Sequence, residues 1–193
     1  LGDMPIYVSD ESADFWANRT LFETTPEGEP KRIAGVPPDY FSEDGQLWGN
    51  PLYDWVRMKQ DGYRWWLQRI GNSLKIYDAV RIDHFRGFYR YWAVPADAKT
   101  ARVGTWEPGP GMELFHAVNA VFSNPQIVAE DLGCEEEGLV QFLLEAGYPG
   151  MKVMQFAYYG WDSIHLPYKY TENYVAYTGT HDNDTMLGWL WSA

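Results

Sequence analysis

Three carboxylates stand at the ends of short apolar runs. Asp83 closes the run in Ala79-Val80-Arg81-Ile82-Asp83-His84-Phe85-Arg86-Gly87. Glu130 closes that in Gln126-Ile127-Val128-Ala129-Glu130-Asp131-Leu132-Gly133, and Asp182 lies just beyond Asn173-Tyr174-Val175-Ala176-Tyr177-Thr178-Gly179-Thr180-His181. A strand buried on both faces reads as a continuous apolar run, and in parallel β/α folds the chemistry sits where such strands end. The three acids are roughly fifty residues apart along the chain, so only the fold could bring them together. Arg81 alternates onto the same side of its strand as Asp83. That pair also fits a buried ion pair closing a strand.

Two chemistries suit acids so placed. Asp83, His84, Glu130, Asp131, His181 and Asp182 offer oxygen and nitrogen donors for a metal, but they lack the short His/Glu spacings of a metalloprotease helix. No phosphate-binding glycine loop is present either, and no cofactor or metal is implied. Paired carboxylates flanking a glycosidic bond need no metal. One stays ionised at the anomeric carbon, and the other holds a proton for the leaving oxygen. Retention of configuration would place the two about 5–5.5 Å apart.

Composition supports the second chemistry. The 193 residues carry a net charge of -12, which excludes the basic surface that nucleic acid requires. A neutral sugar polymer remains open. Aromatic residues reach 17%, with 10 Trp and 14 Tyr, enough to build a core and to stack on sugar faces. Cys134 is the single cysteine, so an internal disulfide or thiolate cluster is excluded and a reducing compartment fits. No apolar stretch approaches the ~20 residues that span a bilayer, and no signal peptide is visible. The residues alone point to a retaining glycoside-processing enzyme.

The elements that must position these acids follow from pattern. Residues 2–8 read as a buried strand, with Ser9 and Asp10 as N-cap candidates for the turn after it. Residues 23–49 form a Pro/Gly-rich excursion, read as an irregular substrate-covering loop because structureless stretches of such length are usually functional. Residues 51–74 are helical by period, with Tyr63, Trp66, Leu67, Ile70 and Leu74 on one stripe. Trp66 is read as core. Residues 75–83 form the next strand, and 92–111 are irregular. A helix over 112–122 presents Leu114, Phe115, Val118, Val121 and Phe122, with His116 as a structural histidine. Further strands at 126–131, 150–158 and from 173 flank a helix over 136–145. Five strands alternating with helices indicate a parallel α/β fold. Eight such units close a barrel, so the chain, which begins at Leu1 almost inside a strand, reads as an internal slice of a longer protein.

The blocks Arg81–Gly87, Ala129–Gly133 and Tyr177–Asn183 resemble those of the 4-α-glucanotransferases, the amylomaltases or disproportionating enzymes of glycoside hydrolase family 77. Residues 34–53, with Gly-Val-Pro-Pro-Asp-Tyr-Phe and Gln-Leu-Trp-Gly-Asn-Pro-Leu-Tyr, resemble the family's acceptor-side loop. The resemblance implies a (β/α)8 TIM barrel of the α-amylase clan, with 1–193 supplying about strands 3 to 7. The loop insertion at 23–50 would follow the first of these strands, over the acceptor side. Asp83 would be the nucleophile, Glu130 the acid/base and Asp182 the transition-state stabiliser. Arg81 would keep Asp83 ionised, and His181 would bond sugar hydroxyls. Asp39, Tyr40, Phe41, Trp48 and Asp131 would contact substrate. The implied activity moves α-1,4-glucan segments between maltooligosaccharides in starch, glycogen or maltodextrin metabolism. The setting would be the bacterial cytoplasm or a plastid, without nucleic-acid or membrane partners. A hydrolytic clan relative and a catalytically incomplete glucan-binding fragment remain as alternatives.

Overall fold

Every expected apolar run is a strand, but a shorter one. The structure, a computed structural model, describes residues 1–39, 42–132 and 136–192, with Glu137 by its backbone only. In chain order the elements are β1 (Gly2–Met4), α1 (Ala13–Ala17), β2 (Arg32–Val36), β3 (Gln46–Pro51), α2 (Trp55–Gln60) and α3 (Arg64–Ile76). Then come β4 (Val80–Ile82), β5 (Arg90–Pro95), β6 (Thr105–Pro108), α4 (Met112–Val121), β7 (Ile127–Ala129), α5 (Glu137–Ala146), β8 (Gly150–Val153), β9 (Tyr174–Tyr177) and α6 (Met186–Ser192). Together they make a mixed α/β fold.

β1, β4 and β7 form one parallel sheet and β8 and β9 another. The register Asp3↔Arg81 and Ile82↔Ala129 sets the first sheet. Ala129 N–H donates to Pro149 O at 2.8 Å, so β8 follows β7 and the strand order is β1-β4-β7-β8-β9. β8 stops at Val153, opposite Tyr177, and residues 154–159 wind into a 3-10 turn rather than continuing the expected strand to 158.

Residues 23–49 are not an irregular loop. β2 and β3 pair within it, and β2 also pairs with β5, giving an antiparallel sheet in the order β3-β2-β5-β6. β2 pairs with β5 from Arg32↔Pro95 to Gly35↔Trp92, a partner so distant in sequence that local patterning does not reveal it. The glycines serve turns and a close approach: Gly45 has φ +67°, and a Cβ on Gly35 would collide with Gln46 O. Residues 92–111 likewise contain β5 and β6, locked by the cross-strand pair Trp92–Trp106 with ring centroids 5.3 Å apart.

The helix expected over 51–74 is two helices. Gly62 (φ +70°) and Tyr63 (φ 58°) turn left-handed between α2 and α3, which re-aims the chain without losing the buried stripe. Tyr63, Trp66 and Ile70 are buried, and Leu67 and Leu74 pack against the core. The cap of α1 is Ser12, whose Oγ accepts from Phe15 N–H at 3.1 Å, rather than Ser9 or Asp10. On α4, Leu114, Phe115 and Val118 are buried, but Val121 faces solvent.

Much of the aromatic excess is core. Tyr53, Trp66, Phe85, Phe88 and Phe115 are fully buried and meet ring to ring between the parallel strands and α3 and α4. Such rings contribute area burial plus roughly 0.5–1.5 kcal/mol per favourable pair. Phe85 and Phe88 belong to the turn that follows Asp83, so this turn is anchored in the core.

Candidate active site

Parallel register delivers the first two acids. Ile82 lies opposite Ala129, and the next residues along the two strands are Asp83 and Glu130. Asp83 N–H donates to Met4 O and Glu130 N–H to Ile82 O, both at 2.9 Å, which carries the ladder one step past the strands. Phe85 N–H then donates to Glu130 O at 3.0 Å. The two side chains emerge at the C-terminal ends of neighbouring strands.

Arg81 holds this end of the sheet together. Nη2 donates to Asp83 Oδ1 at 2.7 Å, Nη1 to Asp3 Oδ1 at 2.6 Å, and Nε reaches Met151 Sδ at 3.3 Å. Its side chain is only 8% exposed, so the guanidinium is a largely desolvated bridge. Burial opposes its charge. The hydrogen bond to Asp3 and the charges of Asp83, Asp3 and Glu130 outweigh burial and raise its pKa.

Glu130 is 9% exposed. Oε2 accepts from His84 N–H and Oε1 from Leu132 N–H, both at 2.7 Å. His84 adopts a left-handed conformation (φ 48°, ψ 47°), which places its N–H on the carboxylate. Strain of this kind, of order 1–3 kcal/mol, persists where surrounding structure enforces it. Burial, then the charge of Asp83, pushes the Glu130 pKa up to about 7, against the pull of both N–H bonds and Arg81. A carboxyl so placed carries a proton near neutral pH, as a general acid requires.

The third acid arrives from the far end of the strand order. His181 Nε2 lies 3.3 Å from Asp182 Oδ1, and His181 Nδ1 lies 3.7 Å from Asp3 Oδ2. A flat sheet spaced at ~4.8 Å per strand would hold β1 and β9 roughly 19 Å apart. The Asp3–His181 contact brings the turn after β9 to the strand at the opposite end of this order. The turn is fixed by Asn183 Oδ1, which accepts from Thr180 N–H (2.8 Å) and Oγ1–H (2.9 Å), and by buried Gln155, whose Nε2 donates to Asp184 O at 2.8 Å. His181 and Asp182 are 64% and 70% exposed.

Among the acceptor-side candidates, Trp48 on β3 packs edge-on against His84 with centroids 4.7 Å apart and lies near Tyr7. Burial, then the charge of Arg86, lowers the pKa of His84 to about 3, leaving a neutral ring beside the tryptophan. Asp39 Oδ1 accepts from Ser42 N–H at 2.7 Å at the tip of the β2–β3 hairpin. Tyr40 and Phe41 lie outside the described residues. Asp131 points to a different neighbour, its Oδ1 accepting from Met151 N–H on β8 at 2.8 Å. Among the described residues no three His, Cys, Asp or Glu side chains converge to hold a metal.

Asp3, the backbone N–H of His84 and Gln155 join the site without a signal in the sequence. Asp3 was legible only through its register with Arg81, since a lone Asp within an apolar strand has no local motif.

The sequence profile described as 4-alpha-glucanotransferase matches residues 1–193. A 4-alpha-glucanotransferase of Streptococcus pneumoniae serotype 4 is 53% identical over 190 residues, covering 98% of this chain and 38% of the relative. The chloroplastic/amyloplastic 4-alpha-glucanotransferase of Arabidopsis thaliana is 52% identical over 190 residues, covering 98% and 33%. Among solved structures, an amylomaltase from Streptococcus agalactiae in complex with acarbose superposes with a TM-score of 0.93 at 47% identity, covering 98% of this chain and 39% of that one. The chain thus spans less than two fifths of the length of these relatives.

Proposed function

Because the chain belongs to the 4-alpha-glucanotransferase family, we propose that its three strand-end acids transfer α-1,4-glucan segments between maltooligosaccharides by double displacement with retention. The observation that carries this reading is the pairing of a largely buried Glu130, protonated near neutrality, with Asp83 on the adjoining strand end.

Asp83, aligned by Arg81, attacks the anomeric carbon while Glu130 gives its proton to the departing glycosidic oxygen. A glycosyl ester on Asp83 and a free glucan result. Glu130, now a carboxylate, takes the proton of the acceptor's 4-hydroxyl, which attacks the anomeric carbon and releases Asp83. Asp182 and His181 grip the hydroxyls of the distorted sugar. Trp48, together with Asp39, Tyr40 and Phe41, would line the acceptor side and limit water, which preserves the ester until a glucan arrives. The five parallel strands are an arc of a (β/α)8 barrel, about its third to seventh strands. Residues 1–193 are then part of a catalytic domain that works in bacterial cytoplasm or in a plastid.

The test is to incubate the full-length protein with maltotriose and resolve the products. Glucose together with maltopentaose and longer chains is the expected result. Glucose and maltose without longer products would replace transfer by hydrolysis. The exposure of His181 and Asp182 favours a second reading for the 193-residue chain by itself, in which it binds glucan without turnover. Calorimetric titration with maltooligosaccharide checks that reading, and binding accompanied by transfer would reject it.

A further inference from the structure

The junction between the two parallel sheets has an unusual construction. Gly150 N–H donates to Asn173 O, on the side of β9. The alternate amides, those of Met151 and Val153, face the other way, where a continuous sheet would offer them carbonyls. Instead Met151 N–H donates to Asp131 Oδ1 at 2.8 Å and Val153 N–H to His165 Nδ1 at 3.1 Å. Both acceptors are side chains. The buried His165 ring stays neutral and able to accept, because burial, then the charge of Lys152, lowers its pKa to about 4.

The fit around Asp131 is close. A Cβ at Gly150 would lie 2.5 Å from Asp131 Oδ2 and 2.7 Å from the Tyr174 ring, so only glycine admits the carboxylate. Lys152 Nζ sits 4.0 Å from the centroid of the same ring. Asp131 directly follows Glu130, and β9, on the other side of β8, leads into His181 and Asp182.

We propose that Asp131 is a positioning residue, a side-chain splice that fixes the strand carrying Glu130 against the pair of strands carrying Asp182, and not a sugar ligand. This rests on the transferase reading above. The splice works through its acceptor oxygen, so asparagine can replace it and alanine cannot.

The experiment compares Asp131→Asn and Asp131→Ala in the full-length enzyme, measuring kcat and KM for maltotriose disproportionation. Asp131→Ala is expected to lower kcat at least tenfold with KM within about threefold, and Asp131→Asn to keep kcat within about threefold of wild type. A tenfold rise in KM with kcat retained, or an Asn variant as impaired as the Ala variant, overturns the proposal. Gly150→Ala disturbs the same contact without touching the carboxylate and is expected to lower kcat in the same way; full activity in that variant counts against the splice. Hydrogen exchange at the Met151 amide reads the bond without activity. It should be slow in wild type and Asp131→Asn and fast in Asp131→Ala, and equal protection in all three overturns the proposal. A wild-type enzyme that fails to disproportionate would remove the transferase reading and leave the exchange measurement to decide the splice.

Discussion

The backbone N–H of His84 donates to Glu130 Oε2 at 2.7 Å across neighbouring strand ends. One strand end thus supplies both the candidate nucleophile and a fixed donor to the candidate acid, and the left-handed turn at His84 makes that double duty possible. The bond favours the ionised form of Glu130, yet burial and the charge of Asp83 prevail. Glu130 is a carboxyl poised near neutrality and held in one orientation.

A titration consequence follows for both rate and stability. With a pKa of about 7, Glu130 is protonated below neutrality, so kcat/KM for the donor should decline as pH rises through about 7. The folded pKa lies above the unfolded one, so the native state binds the extra proton. The stabilisation this gives is full below the unfolded value near 4.5 and is lost as pH rises through about 7. Glu130→Gln removes the charge. It should reduce turnover by about 10²–10⁴-fold and stabilise the protein at pH 8 by up to about 3 kcal/mol. At pH 4 it should change stability little. Thermal melts at the two pH values check this, and an equal shift at both would refute it.

Arg81 bridges Asp3 and Asp83 with separate nitrogens of one planar group. Lysine presents a point charge that cannot reproduce the fork. Arg81→Lys should therefore lower kcat at least tenfold while the protein remains folded. Asp3→Asn should have a smaller effect in the same direction, because the amide oxygen still accepts one bond. Steady-state kinetics on maltotriose read both. A lysine variant at wild-type rate would show that the bridge does not align Asp83.

Trp48 packs on the ring of His84, the residue that follows Asp83. Trp48→Ala should leave donor cleavage within a few fold and raise the share of intermediates captured by water. The ratio of free reducing ends to longer products measures that partition, and an unchanged ratio would detach Trp48 from the acceptor side.

The parallel strands and their acids were legible because a buried strand ending in a charged cluster is a local pattern, as at Val80–Asp83 and Ile127–Glu130. The antiparallel sheet was not. β2 owes its extended form to β5, far along the chain, while its own Gly35 and the prolines around it suggest a loop. The break at Gly62-Tyr63 was hidden for another reason: the apolar stripe runs on past it, since Tyr63 is buried whether it ends one helix or precedes the next. At the site, Asp83, Glu130 and Asp182 carry visible chemistry. Asp3, the His84 amide and Gln155 act through register, backbone angle and tertiary contact, none of which a residue type announces.

In the proposed mechanism Asp83 attacks the sugar with Glu130 as its acid and base. The most direct measurement is mass spectrometry of full-length Glu130→Gln protein incubated with an α-glucosyl fluoride. Fluoride departs without an acid, and the variant lacks the base that would release the ester. A glycosyl adduct on the peptide containing Asp83 is the expected result. An adduct on Asp182 or another carboxylate, or turnover with inversion and no adduct, would contradict it.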